Sequence, residues 1–132
     1  MAIRTSCLTD AAREKLRGPN FAFLAELMQD GSPHVTPVWC DLEEDRVLIN
    51  TAIGRLKERN MRRDDRVALS IADVDDPYDH VDIRGRVVET IEGEEAEAHI
   101  HALGRKYRGW DRYPLQEGER RVKIVIEPIV CC

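Results

Sequence analysis

"NTAIGRLKERNMRRDDRVALSI", residues 50 to 71, decides how this chain is read. It begins at the end of an apolar run, turns through Ala52-Ile53-Gly54, and re-emerges in the alternating Val67-Ala68-Leu69-Ser70-Ile71, so a strand, a short helix over residues 55–64 and a second strand are predicted. The helix has only Leu56 and Met61 as large apolar residues, too few for a core-facing stripe, so it serves something besides the core. Between Arg55 and Arg66 six of twelve residues are Arg or Lys against Glu58, Asp64 and Asp65, a balance of +3. The whole chain carries −5, which leaves −8 for the remainder. A small basic patch on an acidic protein suits a compact anion and not nucleic acid, which needs a broad basic face.

The turn supplies more than charge. A helix N-terminus carries about half a positive charge and several unpaired N–H donors, so the Thr51 hydroxyl, Gly54, Arg55 and Lys57 converge on a place where phosphate is the natural occupant. The competing reading is a solvated helix laced with pairs such as Glu58 with Arg62. There is no G-x-x-x-x-G-K-[ST] run, which argues against a nucleoside triphosphatase.

Outward from this stretch, the remaining elements follow. Thr9-Asp10 opens a short helix that Gly18-Pro19-Asn20 stops. Phe21 to Met28 reads as a strand, Gln29-Asp30-Gly31-Ser32 as a hairpin turn, and Pro33 to Leu42 as the return strand, in which Pro37 implies an edge or a bulge. Val47 to Thr51, Val67 to Ala72, His80 to Glu89 and Arg121 to Val130 complete six strands; Asp75-Asp76-Pro77 is a loop. Glu94 to Tyr107 is a helix with Ala96, Ile100, Leu103 and Tyr107 on one face. Strands that do not alternate with helices disfavour a doubly wound parallel sheet, and a small, mainly β, antiparallel barrel with flanking helices results.

The totals fit one domain over residues 1–132: the length is near the modal domain size, and charged residues at 34% are spread through the chain. Met1-Ala2-Ile3-Arg4 has no apolar leader and no 18-residue apolar run occurs, so a cytoplasmic protein off the membrane is expected. Cys7, Cys40, Cys131 and Cys132 lack C-x-x-C spacing and are expected as free thiols, the last two in a frayed tail. His99 and His101 point to different helix faces and His34 lacks a partner, so no metal is expected.

In order and spacing these segments resemble the split β-barrel family of pyridoxamine 5'-phosphate oxidase-like (FMN-binding) flavin and deazaflavin proteins. The resemblance rests on Asn50-Thr51, Gly54-Arg55-Leu56-Lys57 and Asp65-Arg66-Val67-Ala68-Leu69, with Phe21-Ala22-Phe23-Leu24, Gly31-Ser32-Pro33-His34-Val35, Val81 to Val87 and Leu103 to Tyr107. It implies a six-stranded antiparallel split β-barrel in which Arg55 and Lys57 take the cofactor phosphate, Thr51 adds its hydroxyl and Asn60 a side-chain hydrogen bond. Thr36, Pro37 and Val38 would lie along the ring, and the strand end Asn50-Thr51-Ala52 would border the same cofactor.

The basic strand and C-terminal arginine motif of true pyridoxamine phosphate oxidases are missing from His34 to Cys40 and from Glu127 to Cys132. The pattern is closer to the branch using coenzyme F420, a deazaflavin whose phosphate and glutamate tail suit the spare Arg59 and Arg63. The resemblance thus implies an F420-dependent oxidoreductase acting on an unsaturated small molecule, as a homodimer with sites at the interface. FMN in the same fold and a non-catalytic binder are the alternatives. Hydride transfer belongs to the cofactor, so no dedicated acid–base pair is required; Tyr78, His80 and Tyr107 are the candidate proton donors. Trp39 or Trp110 would close the substrate side, unless they are ordinary packing.

Overall fold

The structure, a computed structural model, describes residues 6–132; Met1 to Arg4, read above for a leader, lie outside the described residues. The elements are α1 (Asp10–Arg17), β1 (Ala22–Leu27), β2 (Pro33–Val38), β3 (Cys40–Glu43), β4 (Arg46–Ala52), α2 (Leu56–Arg63), β5 (Arg66–Asp73), β6 (Asp76–Ile91), α3 (Glu94–Arg108) and β7 (Arg121–Cys131). Local chemistry sets the boundaries as expected: the Thr9 hydroxyl accepts from the Ala12 N–H at 3.1 Å, and the Asp30-Gly31 turn closes β1 onto β2 with Gly31 at φ +87°. Among the described residues no helix is long and apolar enough to cross a membrane.

All neighbouring strands are antiparallel, in the order β2-β1-β5-β6-β7-β4-β3. The two edges of this sheet are therefore consecutive in sequence, joined through Trp39 alone. The chain steps from one edge to the other at that residue, and the sheet curls into a half-barrel. This corrects the six-strand reading. Pro33 to Leu42 cannot be one strand, because its first half pairs with β1 and its second half with β4, at opposite ends of the sheet. Pro37 lies opposite Phe23 on an edge strand, the position in a sheet where a residue without an N–H is tolerated.

Inward-facing residues fill the barrel: Leu24, Val38, Val47, Ile49, Leu69, Ile71, Ile83, Val122, Ile124 and Ile126, closed at one side by Ala12 and Leu16 of α1. β6 runs for 16 residues because register shifts at Arg84/Gly85 and Val87/Glu89 let it bend around the barrel. At the first of these Gly85 lies against the Glu127 carbonyl so closely that a Cβ would collide with it.

The cysteine expectation is overturned. Cys7 and Cys131 form a disulfide with Cα atoms 5.6 Å apart, tying the segment before α1 to the end of β7. Cys132 is free, but its backbone exchanges both hydrogen bonds with Asp82, so the C-terminus extends the ladder and is not a frayed tail. Cys40 is a free thiol in the core, where burial raises its pKa. Spacing could not show the pairing: the two partners are 124 residues apart and meet only when the barrel closes.

Candidate functional site

β4 runs out at Ala52, and Gly54 at φ +92° turns the chain into α2. That φ is open to glycine and strained for other residues. Beside the turn lies a cavity of about 210 Å³, and Pro37, Val38, Asn50, Thr51, Arg55 and Lys57 line it. Six of the nine residues expected at the cofactor thus share one space. Three do not. Ala52 borders an open groove of about 500 Å³ next door, reached past Arg55. Thr36 faces into the barrel from β2, its hydroxyl buried without a partner. Asn60 is turned away: its Nδ2 donates to Glu26 Oε1 at 3.3 Å and its Oδ1 accepts from Arg63 at 2.8 Å.

The opening patch divides in two. Arg62 pairs with Glu58 at 2.9 Å, Arg63 donates to the Leu27 carbonyl at 2.9 Å, and Arg66 pairs with Asp64 at 2.8 Å, so half of its charge is structural. Glu58 also accepts the Gly54 N–H at 2.8 Å, occupying a donor expected to be free for a ligand. Arg55, Lys57 and Arg59 form no ion pair among the described residues. Lys57 is half-buried, and burial together with the charges of Arg55 and Arg121 lowers its pKa, against the pull of Glu26. Of Arg55, Lys57 and Arg59, the first two line the cavity, and the Thr51 hydroxyl is buried at its wall without a hydrogen-bond partner.

The sequence reading missed Arg121. It lines the cavity at 4% exposure, with Nε donating to Asn50 Oδ1 at 2.9 Å, Nη1 to Glu119 Oε2 at 2.8 Å, and the guanidinium 5.1 Å from the Tyr113 ring centre. Burial opposes ionisation of Glu119, yet the bond and charge of Arg121 keep its carboxyl below the usual range. The signal was there: with Val122, Ile124 and Ile126 pointing inward, Arg121 and Lys123 fall together on the face covered by α3.

The opposite wall is apolar. Phe21, Trp39, Ile100, Leu103 and Tyr113 complete the lining. Trp39 stacks on Tyr107 with centroids 5.4 Å apart and meets Trp110 and Tyr113 edge-on, so Trp39 faces the cavity while Trp110 supports it from behind. Of the candidate proton donors none lines the cavity. The Tyr107 hydroxyl donates to the Asn20 carbonyl at 2.7 Å and accepts the Cys40 N–H at 3.0 Å, and burial raises its pKa. Tyr78 is exposed, and His80 pairs with Asp82 at 3.0 Å. His34, expected without a partner, contacts the buried Glu26 carboxylate. No group of three His, Cys, Asp or Glu placed to hold a metal occurs among the described residues.

This geometry, a curled antiparallel half-barrel with a cationic cavity where β4 turns into a short helix, defines a class, and comparison with known proteins agrees. The family model described as Pyridoxamine 5'-phosphate oxidase matches residues 8–129, and the chain belongs to that family. A solved structure described as an F420 reductase is 26% identical, with TM-score 0.84, covering 95% of this chain and 98% of that one. The conserved hypothetical protein Rv2991 from Mycobacterium tuberculosis has 22% identity and TM-score 0.70, covering 99% and 88%. The HupZ protein of Group A Streptococcus, with 16% identity and TM-score 0.60 over 94% and 98%, shares the fold. No curated protein sequence matches the chain.

Proposed function

We propose that the chain is a coenzyme F420-dependent oxidoreductase that moves a hydride between the reduced deazaflavin and an unsaturated small molecule. One observation carries this reading: Arg55, Lys57 and Arg121, from two elements far apart in the sequence, line one cavity beside Thr51. Like charges gathered in one place are matched by a phosphoryl group, which accepts from every donor there. The similarity to an F420 reductase supports the choice of ring.

Arg55, Lys57 and Thr51 would hold the phosphate, and the strand at Pro37 and Val38 would flank the ring. When bound, the cofactor supplies two-electron hydride chemistry. The chain's own work is to bind, to orient and, through Phe21, Trp39, Ile100 and Leu103, to keep water from one wall. A cavity of about 210 Å³ is below the roughly 300–1,000 Å³ of ordinary ligand pockets, so one copy holds only part of the molecule. The outer sheet face presents Phe23, Val35, Ile129 and Val130 exposed, an apolar strip suited to a second copy that would complete each site.

A second reading, FMN in the same cavity, is favoured by two features: Arg63 is committed to Leu27 and Asn60, and the groove past Arg55 carries Glu117 and Glu119, which are unwelcoming to a glutamate tail. Titration of the protein with F420 and with FMN, followed by cofactor fluorescence, decides between them. Micromolar F420 binding with turnover of reduced F420 against enones and other conjugated acceptors is expected. Failure of both cofactors to bind below the high micromolar range, about −5 to −6 kcal/mol, refutes both readings.

A further inference from the structure

A guanidinium has five N–H donors. Arg121 is buried, and only two of its donors meet a protein acceptor among the described residues: Nε at Asn50 and Nη1 at Glu119. Nη2 makes no hydrogen bond there, and it is absent from the polar atoms sealed away without a partner, because the side chain lines the cavity. Two of its three nitrogens are fastened, and the third, Nη2, borders the ligand space.

What fastens it is a chain of buried groups. Asn50 Nδ2 donates to the Ala96 carbonyl at 2.9 Å and to His99 Nδ1 at 3.1 Å, which fixes the amide so that Oδ1 faces Arg121. His99 must then be neutral, accepting at Nδ1 and carrying its proton on Nε2, and that nitrogen is buried without a partner. A buried unmatched N–H is rare in native proteins and is tolerated here at the far end of a chain leading to the cavity.

We propose that Arg121 is the third ligand-binding cation of this site, taking a phosphoryl oxygen of the bound cofactor. His99 and Asn50 are positioning residues that, with Glu119, aim its Nη2. The inference rests on the cofactor reading above and deepens it. A planar group held at two nitrogens presents Nη2 to a phosphate oxygen in a fixed direction, which a single ammonium on a four-carbon stem does not.

The test compares phosphate-bearing with phosphate-free rings, F420 against its riboflavin-level deazaflavin and FMN against riboflavin, and uses inorganic phosphate as a third probe. Arg121→Gln is expected to weaken F420 or FMN binding about 10- to 100-fold and to leave the phosphate-free ring within twofold. Arg121→Lys, which keeps the buried charge opposite Glu119 but not the fork, carries the same comparison if Arg121→Gln fails to fold. His99→Leu is expected to lose about three- to tenfold on the phosphate-bearing ring alone, and His99→Gln, which retains an acceptor, to recover it; a packing role would affect both rings equally. Equal loss on both rings, or none, overturns the proposal while leaving the cofactor reading intact. Parent protein that ignores every flavin but binds inorganic phosphate through Arg121 would sink the cofactor reading and, with it, the assignment of Arg121 to the cofactor. Binding of neither overturns both.

Discussion

Lys57→Ala separates binding from stability more sharply than any other substitution at the site. The ammonium is half-buried at the cavity, has no ion-pair partner among the described residues, and lies within the fields of Arg55 and Arg121. Its pKa is lowered chiefly by burial, so the folded protein without ligand holds this charge at a disadvantage. A hydrogen bond to a charged group contributes about 1.5–3 kcal/mol, which predicts roughly 10- to 150-fold weaker cofactor binding in the variant. Burial and the repulsion of Arg55 and Arg121 outweigh the pull of Glu26, so removal of this cation should leave the ligand-free protein close to the parent in stability. Fluorescence titration reads the first effect and thermal unfolding without ligand the second. Raised salt should weaken the parent more than the variant, since one fewer charge is there to be screened. A dissociation constant within twofold of the parent's, or a large loss of stability, refutes the argument: in the first case the lysine does not face the ligand, and in the second it is part of the fold.

Other expectations follow from the packing and titration of particular groups. Gly85→Ala should destabilise by at least about 2 kcal/mol in urea unfolding, because the new Cβ meets the backbone carbonyl of Glu127, which the β6–β7 ladder holds in place; an unchanged midpoint would show that the ladder yields. Thiol titration of the unreduced, denatured protein should count two thiols, Cys40 and Cys132, and Cys7→Ser should lower Tm by roughly 6–15 °C for a lost disulfide contribution of about 2–5 kcal/mol; four thiols would remove the bridge from the account. Burial and the charge of Lys123 push His99 down to about 4 from 6.5, so its neutral form belongs to the folded state. The stability this gives is complete above pH 6.5 and is lost as pH falls from there towards 4, roughly 3 kcal/mol in total. Urea midpoints measured over that window should fall less steeply for His99→Gln than for the parent, and parallel curves would contradict the assignment.

How much could be read beforehand depended on the range of the forces involved. Elements set by local chemistry stood out: the Thr9 cap, the Asp30-Gly31 hairpin, the apolar face of α3 and the basic turn after β4 all lie where spacing and turn residues put them. The break at Trp39 did not, because nothing near that residue stops a strand. It is forced by closure, since β1 and β4 occupy positions far apart in the sheet and each needs a partner. The Cys7–Cys131 bridge was hidden for the same reason.

The site was half legible, and the two halves differ physically. Thr51, Arg55 and Lys57 follow one another along one turn, so their convergence is a property of local backbone geometry and could be read from spacing. Asn60, on the same helix, looked equally placed; what redirects it is the buried Glu26 carboxylate on a strand 34 residues earlier, which needs donors and takes Asn60 as one. Arg121 comes to the cavity from the other direction, through the register that sets Ala52 against Arg121 and Asn50 against Lys123. A charge pattern along the chain reveals which cations are available. Which of them line the cavity depends on where the carboxylates lie: Glu58 and Asp64 draw off Arg62 and Arg66, Glu26 takes the Asn60 amide, and Arg55 and Lys57 are left at the cavity with Arg121.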